Sequence, residues 1–195
     1  MVSHLLSQAR AQTYSSGFAP KVLIVPHAAY LLSGAMAAQA YSQLAAQRSI
    51  IRRVVLLGPA HQVPVIGVAL PGYTAFATPL GNVEVDQEAI QSISGLHQVQ
   101  VSPEAHSLEH SLEVQLPFLQ TVLDDFMLVP LAVGDATPKE VAQVLEILWG
   151  GPETLIVISS NLSHDLPSTR AHNIDTETAE GILAMQGSLT HQQAC

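Results

Sequence analysis

Apolar positions along this chain follow two rhythms. Short runs dominated by Val, Ile and Leu occupy residues 21–25, 53–57, 65–70, 126–133 and 154–159, with a lesser run at 99–101. Such runs, closed by Pro, Gly or Asn, predict strands buried on both faces. Between them the pattern loosens to helical spacing. Residues 33–47 are rich in Ala and Gln, with Gly34 in the first turn, and predict a helix. Asp86 is placed to cap a short helix reaching residue 94. Residues 107–124 carry a ladder of Leu108, Leu112, Leu116 and Leu119 and predict a helix that Pro117 kinks or splits. Thr137-Pro138-Lys139-Glu140 combines an N-cap, a proline at N1 and a glutamate at N3. That capping box opens a helix running to about Trp149. A last helix is predicted over residues 168–185, and Thr78-Pro79-Leu80-Gly81-Asn82 reads as a turn.

Strands alternating with helices predict an α/β fold: a mostly parallel central sheet covered on both faces. In such sheets, ligands bind beyond the carboxyl ends of the strands. Three of the runs end alike, in a small turn followed by His27, by His61 and by His164. If their strands are parallel, the three imidazoles arrive at one edge of the sheet. Two histidines and one anionic group can hold a divalent cation and leave room for substrate. The anionic ligand could be a carboxylate or Cys195, the only cysteine.

A competing constellation is His106-Ser107-Leu108-Glu109-His110, which matches the inverted zinc-protease pattern H-x-x-E-H. On one continuous helix its histidines would share a face, with Glu109 as base. Alternatively the leucine ladder packs and the polar residues cap, or Glu109, His110 and Glu113 line the rim of the strand-end site. The chain contains neither G-x-S-x-G nor a phosphate-binding glycine loop.

Composition narrows the function classes. The 195 residues fit one domain, 48% of them are hydrophobic and only 12% charged, and mean hydropathy is +0.29. This composition excludes a disordered chain and fits a core on both sheet faces or an interface with a partner, a second copy of the chain included. Seven basic against sixteen acidic residues give a net charge of −9, which argues against nucleic acid and anionic membrane as partners. No run is long enough to span a membrane, and the N-terminus lacks the features of a signal peptide. A single cysteine fits a reducing compartment, so a cytoplasmic location is expected.

These motifs together resemble a known family. Pro26-His27-Ala28-Ala29-Tyr30 with Ser33-Gly34, Leu57-Gly58-Pro59-Ala60-His61, Thr78-Pro79-Leu80-Gly81 with Val85-Asp86, Glu109-His110-Ser111-Leu112-Glu113-Val114-Gln115-Leu116-Pro117-Phe118, Ser159-Ser160-Asn161-Leu162-Ser163-His164 and Ala194-Cys195 follow the order of the Memo family. That family is also called AmmeMemoRadiSam system protein B. It is similar in fold to the class III extradiol (LigB-like) dioxygenases, a three-layer α/β/α arrangement. Those enzymes hold iron(II) with two histidines and a glutamate and use a further histidine as acid/base. In the Memo family a cysteine replaces the glutamate.

The resemblance therefore implies His27, His61 and Cys195 as ligands of an iron or copper ion and His164 as the acid/base. It sets Tyr30, Asn161 and His110 beside the substrate. It implies a metal-dependent oxidoreductase, or a non-catalytic pocket for a small molecule or peptide on the same fold. The chain departs from the family at Ala29, Leu32, Asn161 and Asp165, and the family continues past the cysteine where Cys195 is the last residue. The expectation is one Memo-like domain over residues 1–195, shortened at its C-terminus.

Overall fold

The computed structural model describes residues 1–10, 19–163 and 166–186. They form two compact units, Met1–Ser159 and a second beginning at Ser160. The first contains α1 (Val2–Arg10), β1 (Val22–Val25), α2 (Tyr30–Ser42) continued by a 3₁₀ turn (Gln43–Gln47), β2 (Arg53–Pro59), β3 (Val68–Leu70), β4 (Ala75–Thr78), β5 (Gly81–Glu84), α3 (Gln87–Ile93), β6 (Val99–Val101), α4 (Pro103–Ser107), α5 (His110–Glu113), α6 (Leu116–Val122), β7 (Met127–Val133), α7 (Pro138–Leu148) and β8 (Thr154–Ser159). The second contains α8 (Ser168–Leu183).

A six-stranded sheet in the order β1-β8-β2-β7-β3-β6 forms the centre. β1, β8, β2 and β7 are mutually parallel; β3 pairs antiparallel with β7 and parallel with β6. β2 illustrates why the strand runs are so apolar. Val54 and Leu56 enter one core with α1, α2 and α6, whereas Val55 and Leu57 enter the other with α3 and α7. Both faces are covered, so alternation disappears. This is the three-layer α/β/α architecture expected from the pattern.

The predicted caps form as expected: the Asp86 side chain accepts from the Ala89 N–H, and the Thr137–Glu140 capping box is complete. Several elements differ from expectation. The predicted helix over 107–124 is three short helices. Pro117 does not make the break; it sits in the first turn of α6, where a missing N–H costs nothing. The first break comes at Glu109, an extended residue (φ −95°, ψ 128°) whose carboxylate caps α5, and the second at Val114 and Gln115, before α6. Leu108 accordingly leaves the ladder and is 66% exposed, while Leu112, Leu116 and Leu119 are buried. The third strand is shortened to Val68–Leu70, and the predicted turn at 78–82 joins the hairpin of β4 and β5. α1 had no counterpart in the prediction. Val2, Leu6 and Ala9 are buried on its inner face. α1 lies close to α2 at Gly34, where a Cβ would stand 2.8 Å from Leu5 Cδ1.

Candidate metal centre

Each candidate side chain owes its place to the end of an element. β1 stops at Val25 because Pro26 has no N–H to give to a ladder, and His27 follows, 1% exposed. β2 ends at Pro59, two residues before His61, whose side chain is 28% exposed. His110 is the first residue of α5, with its side chain half exposed. Because β1, β8 and β2 run parallel as neighbours, His27 and His61 leave the same end of the sheet. Their ring centroids are 5.3 Å apart at 67°. The His110 ring stacks on His61 at 5.4 Å and 17°, and meets His27 edge-on at 5.8 Å. Three imidazoles thus form a triangle running from the interior to the surface.

Glu109 lies beneath this triangle, 4% exposed. Its Oε2 accepts from the His61 backbone N–H at 2.6 Å. Its Oε1 lies 2.9 Å from His61 Nδ1 and accepts from the backbone N–H groups of His110 and Ser111, each at 3.0 Å. Burial acts to raise the carboxyl pKa, but these bonds outweigh it and hold it near 2. Burial pushes the His27 pKa down to about 4, aided by the neighbouring His61 and His110 rings and opposed by Glu109. His27 is therefore neutral near pH 7, as a ligating imidazole must be. The donor atoms of His61, Glu109 and His110 all lie within 4.8 Å of one another, close enough for one metal ion.

A buried polar layer supports His27. Its Nδ1 is 3.0 Å from Ser159 Oγ at the end of β8. Ser159 Oγ donates to the Ser111 carbonyl and accepts from the Gln115 amide, which also donates to the Pro26 carbonyl. Ser111 Oγ donates to the Pro59 carbonyl. Thus α5 and the turn after it are tied to the ends of β1, β2 and β8. Gly58 allows this approach: a Cβ there would stand 2.7 Å from Ser111 Oγ and 2.8 Å from Leu112 Cδ2.

The other sequence candidates fall as follows. Tyr30 opens α2; its hydroxyl donates to the Val114 carbonyl at 2.9 Å and its ring meets Phe118 edge-on. Burial, helped by Glu113, raises its pKa. Asn161 belongs to the second unit, in a loop where Leu162 holds a left-handed backbone (φ 61°) and donates its N–H to Ser160 Oγ. His164 and Cys195 lie outside the described residues.

The zinc-protease constellation does not assemble. His106 ends up in α4, on the far side of the break at Glu109. Its Nε2 donates to the Ala69 carbonyl at 2.8 Å, among the rings of Tyr73 and Phe76. Glu109 serves as a cap, and so does not act as that motif's base. Pattern reading also missed Ser111, Gln115 and Ser159. Their signal was in the sequence: Gln115 sits on the leucine face of its helix, and a polar residue on a buried face needs a partner. A broad cleft of about 780 Å³ lies at the opposite, N-terminal ends of β2 and β7. Arg48 is already paired there with Asp124, and Arg52 with the Asp125 carbonyl.

The family model for Memo-like proteins matches residues 2–193. The chain belongs to the Memo family. A MEMO1 family protein of Archaeoglobus fulgidus is 36% identical over 191 residues, covering 93% of this chain and 69% of that protein. One from Aquifex aeolicus is 36% identical over 160 residues, covering 80% and 58%. Protein MEMO1 of Rattus norvegicus is 31% identical over 163 residues, covering 79% and 54%. The chain therefore spans between about half and just over two thirds of the length of these Memo relatives. No helix among the described residues is long and apolar enough to cross a membrane.

Proposed function

We propose that this Memo-family chain carries a non-haem metal site, with His27 and His61 as imidazole ligands and Cys195 as the third ligand. The supporting observation is the meeting of His27 and His61 at the ends of β1 and β2 on either side of β8, with centroids 5.3 Å apart. The donor chemistry fits: the buried imidazole stays neutral, and imidazole with thiolate suits iron, copper or zinc. An iron or copper ion bound there would supply the one-electron and dioxygen chemistry that side chains lack. The most specific reading is therefore a metal-dependent oxidoreductase. Around the metal, this chain's residues bind, orient and move protons. Glu109 fixes the backbone and ring of His61. Tyr30, held by its bond to the Val114 carbonyl, is a proposed substrate contact. Half-exposed His110 is a proposed contact of the small-molecule or peptide ligand, and Asn161 is proposed for the same role. His164 is the proposed acid/base.

A second reading is a pocket that binds without turnover. It is favoured by the commitment of Glu109, whose carboxylate is used entirely in holding its neighbours. Anaerobic reconstitution with Fe(II) or Cu(I) tests the metal assignment. The chain is expected to bind about one ion, and His61→Ala to lose it while staying folded. Unchanged stoichiometry in His27→Ala and His61→Ala would refute the assignment. Turnover of an oxidisable aromatic by the loaded protein would exclude the second reading.

A further inference from the structure

A neutral imidazole offers one nitrogen to a cation and carries its proton on the other, and the group facing the protonated nitrogen decides which. For His61 that group is Glu109. The carboxylate is surrounded by donors: the backbone N–H groups of His61, His110 and Ser111, with His61 Nδ1 at 2.9 Å. An ionised carboxylate only accepts. Neutral His61 therefore carries its proton on Nδ1 and its lone pair on Nε2.

For His27 the direction is set by a chain of bonds. Gln115 Oε1 accepts the Tyr41 hydroxyl proton at 3.0 Å, which turns the amide nitrogen toward Pro26 O at 3.0 Å and Ser159 Oγ at 2.9 Å. The Ser111 carbonyl can only accept, and takes the one Ser159 hydroxyl proton at 2.6 Å. Ser159 Oγ must then accept from His27 Nδ1 at 3.0 Å. His27 also ends with its lone pair on Nε2.

We propose that Glu109 directly, and Ser111 and Gln115 through Ser159, are positioning residues that lock His61 and His27 in the Nδ1–H form and make Nε2 the ligand atom of both. Residues 109–115 thus set the polarity of the whole site. The inference rests on the metal-site reading and deepens it. It also assigns Glu109 a place behind the ligand rather than on the metal. Its Oε1 has three N–H partners and its Oε2 one, so a cation bound there would have to displace backbone donors. The Nδ1 of His110 stands farther off, at 3.5 Å from Oε1.

The test uses the full chain, metal-free, with ¹⁵N-labelled histidine, reading each ring's tautomer from two-bond ¹H–¹⁵N correlations in a pH series carried up to about 9, where the neutral rings are read. Single variants assign the signals. His27 and His61 are expected in the Nδ1–H form. Glu109→Gln offers one acceptor to four donors and should disturb the His61 tautomer first; Ser159→Ala should disturb that of His27 and leave that of His61 in place. Zn²⁺ competition against a chelator should show each variant weakened by about 10–100-fold, with Glu146→Gln, on the exposed side of α7, as an unaffected control. An Nε2–H tautomer at either ring of the unaltered protein would overturn the proposal, even if a variant failed to fold. So would Zn²⁺ affinity in Glu109→Gln equal to that of Glu146→Gln. If Zn²⁺ does not bind the unaltered protein, the metal reading fails by itself, and the tautomers still decide this inference.

Discussion

His106 shows at the scale of one residue how burial rather than motif decides a side chain's role. It matched a metal-protease pattern, yet it serves as a packed ring, 4% exposed, bonded to the Ala69 carbonyl, and its Nδ1 has no hydrogen-bond partner among the described residues. Burial lowers its pKa below the ordinary 6.5, outweighing the opposing effects of the Ala69 bond and Glu109. The consequence for stability has a definite sign. Above the unfolded value both states are neutral. As pH falls through it, the unfolded chain takes a proton that the folded ring refuses, so stability drops until the folded pKa is reached. His27 acts in the same direction, down to about 4. Urea midpoints should therefore fall from about pH 7.5 to about pH 5.5. His106→Gln, which can keep the bond to Ala69, should flatten that slope. An unchanged slope would show that His106 does not contribute.

At the element scale the site depends on where α5 begins and how closely it approaches β2. The inner strands β2, β7 and β8 were legible because they are buried on both faces, whereas β1 at the sheet edge leaves Val22 and Ile24 exposed; two helix caps were legible because Asp86 and Thr137-Pro138-Lys139-Glu140 state their chemistry locally. The break in residues 107–124 was not legible. Leu108, Leu112, Leu116 and Leu119 keep helical spacing across it, and the deciding interaction is Glu109 with His61, 48 residues away. His27 and His61 could be chosen from their strand ends. The anchors beneath them could not, because the pairing of Ser159 with Ser111 and Gln115 exists only once three strands and a helix have met. Gly58 tests this packing. In Gly58→Ala the added methyl meets Ser111 and Leu112, and should cost about 1–3 kcal/mol in denaturant unfolding. It should also weaken metal binding by moving Glu109. Wild-type stability and affinity in this variant would mean that α5 is not held against β2 as described.

For the whole first unit, the apolar composition is accounted for by two cores, one on each face of the sheet. α1 belongs to the first of them, although its polar residues hid it from pattern reading: Val2, Leu6 and Ala9 are buried and Leu5 packs beside them. Leu6 is 2% exposed, so Leu6→Ala should destabilise the chain by about 2–5 kcal/mol. A loss within about 0.5 kcal/mol, the range of surface substitutions, would mean that α1 does not complete the core. The sheet order fixes the rest, because β1 and β2 flank β8 in parallel and deliver His27 and His61 to one end.

The most direct test of that delivery is X-ray absorption at the zinc edge of the Zn²⁺-loaded full chain. The structure and the proposed ligand set predict imidazole multiple scattering from two histidines, nitrogen at about 2.0–2.1 Å and one sulfur at about 2.3 Å, with His61→Ala losing one imidazole. A shell of oxygen scatterers without imidazole, or one that His61→Ala leaves unchanged, would contradict it.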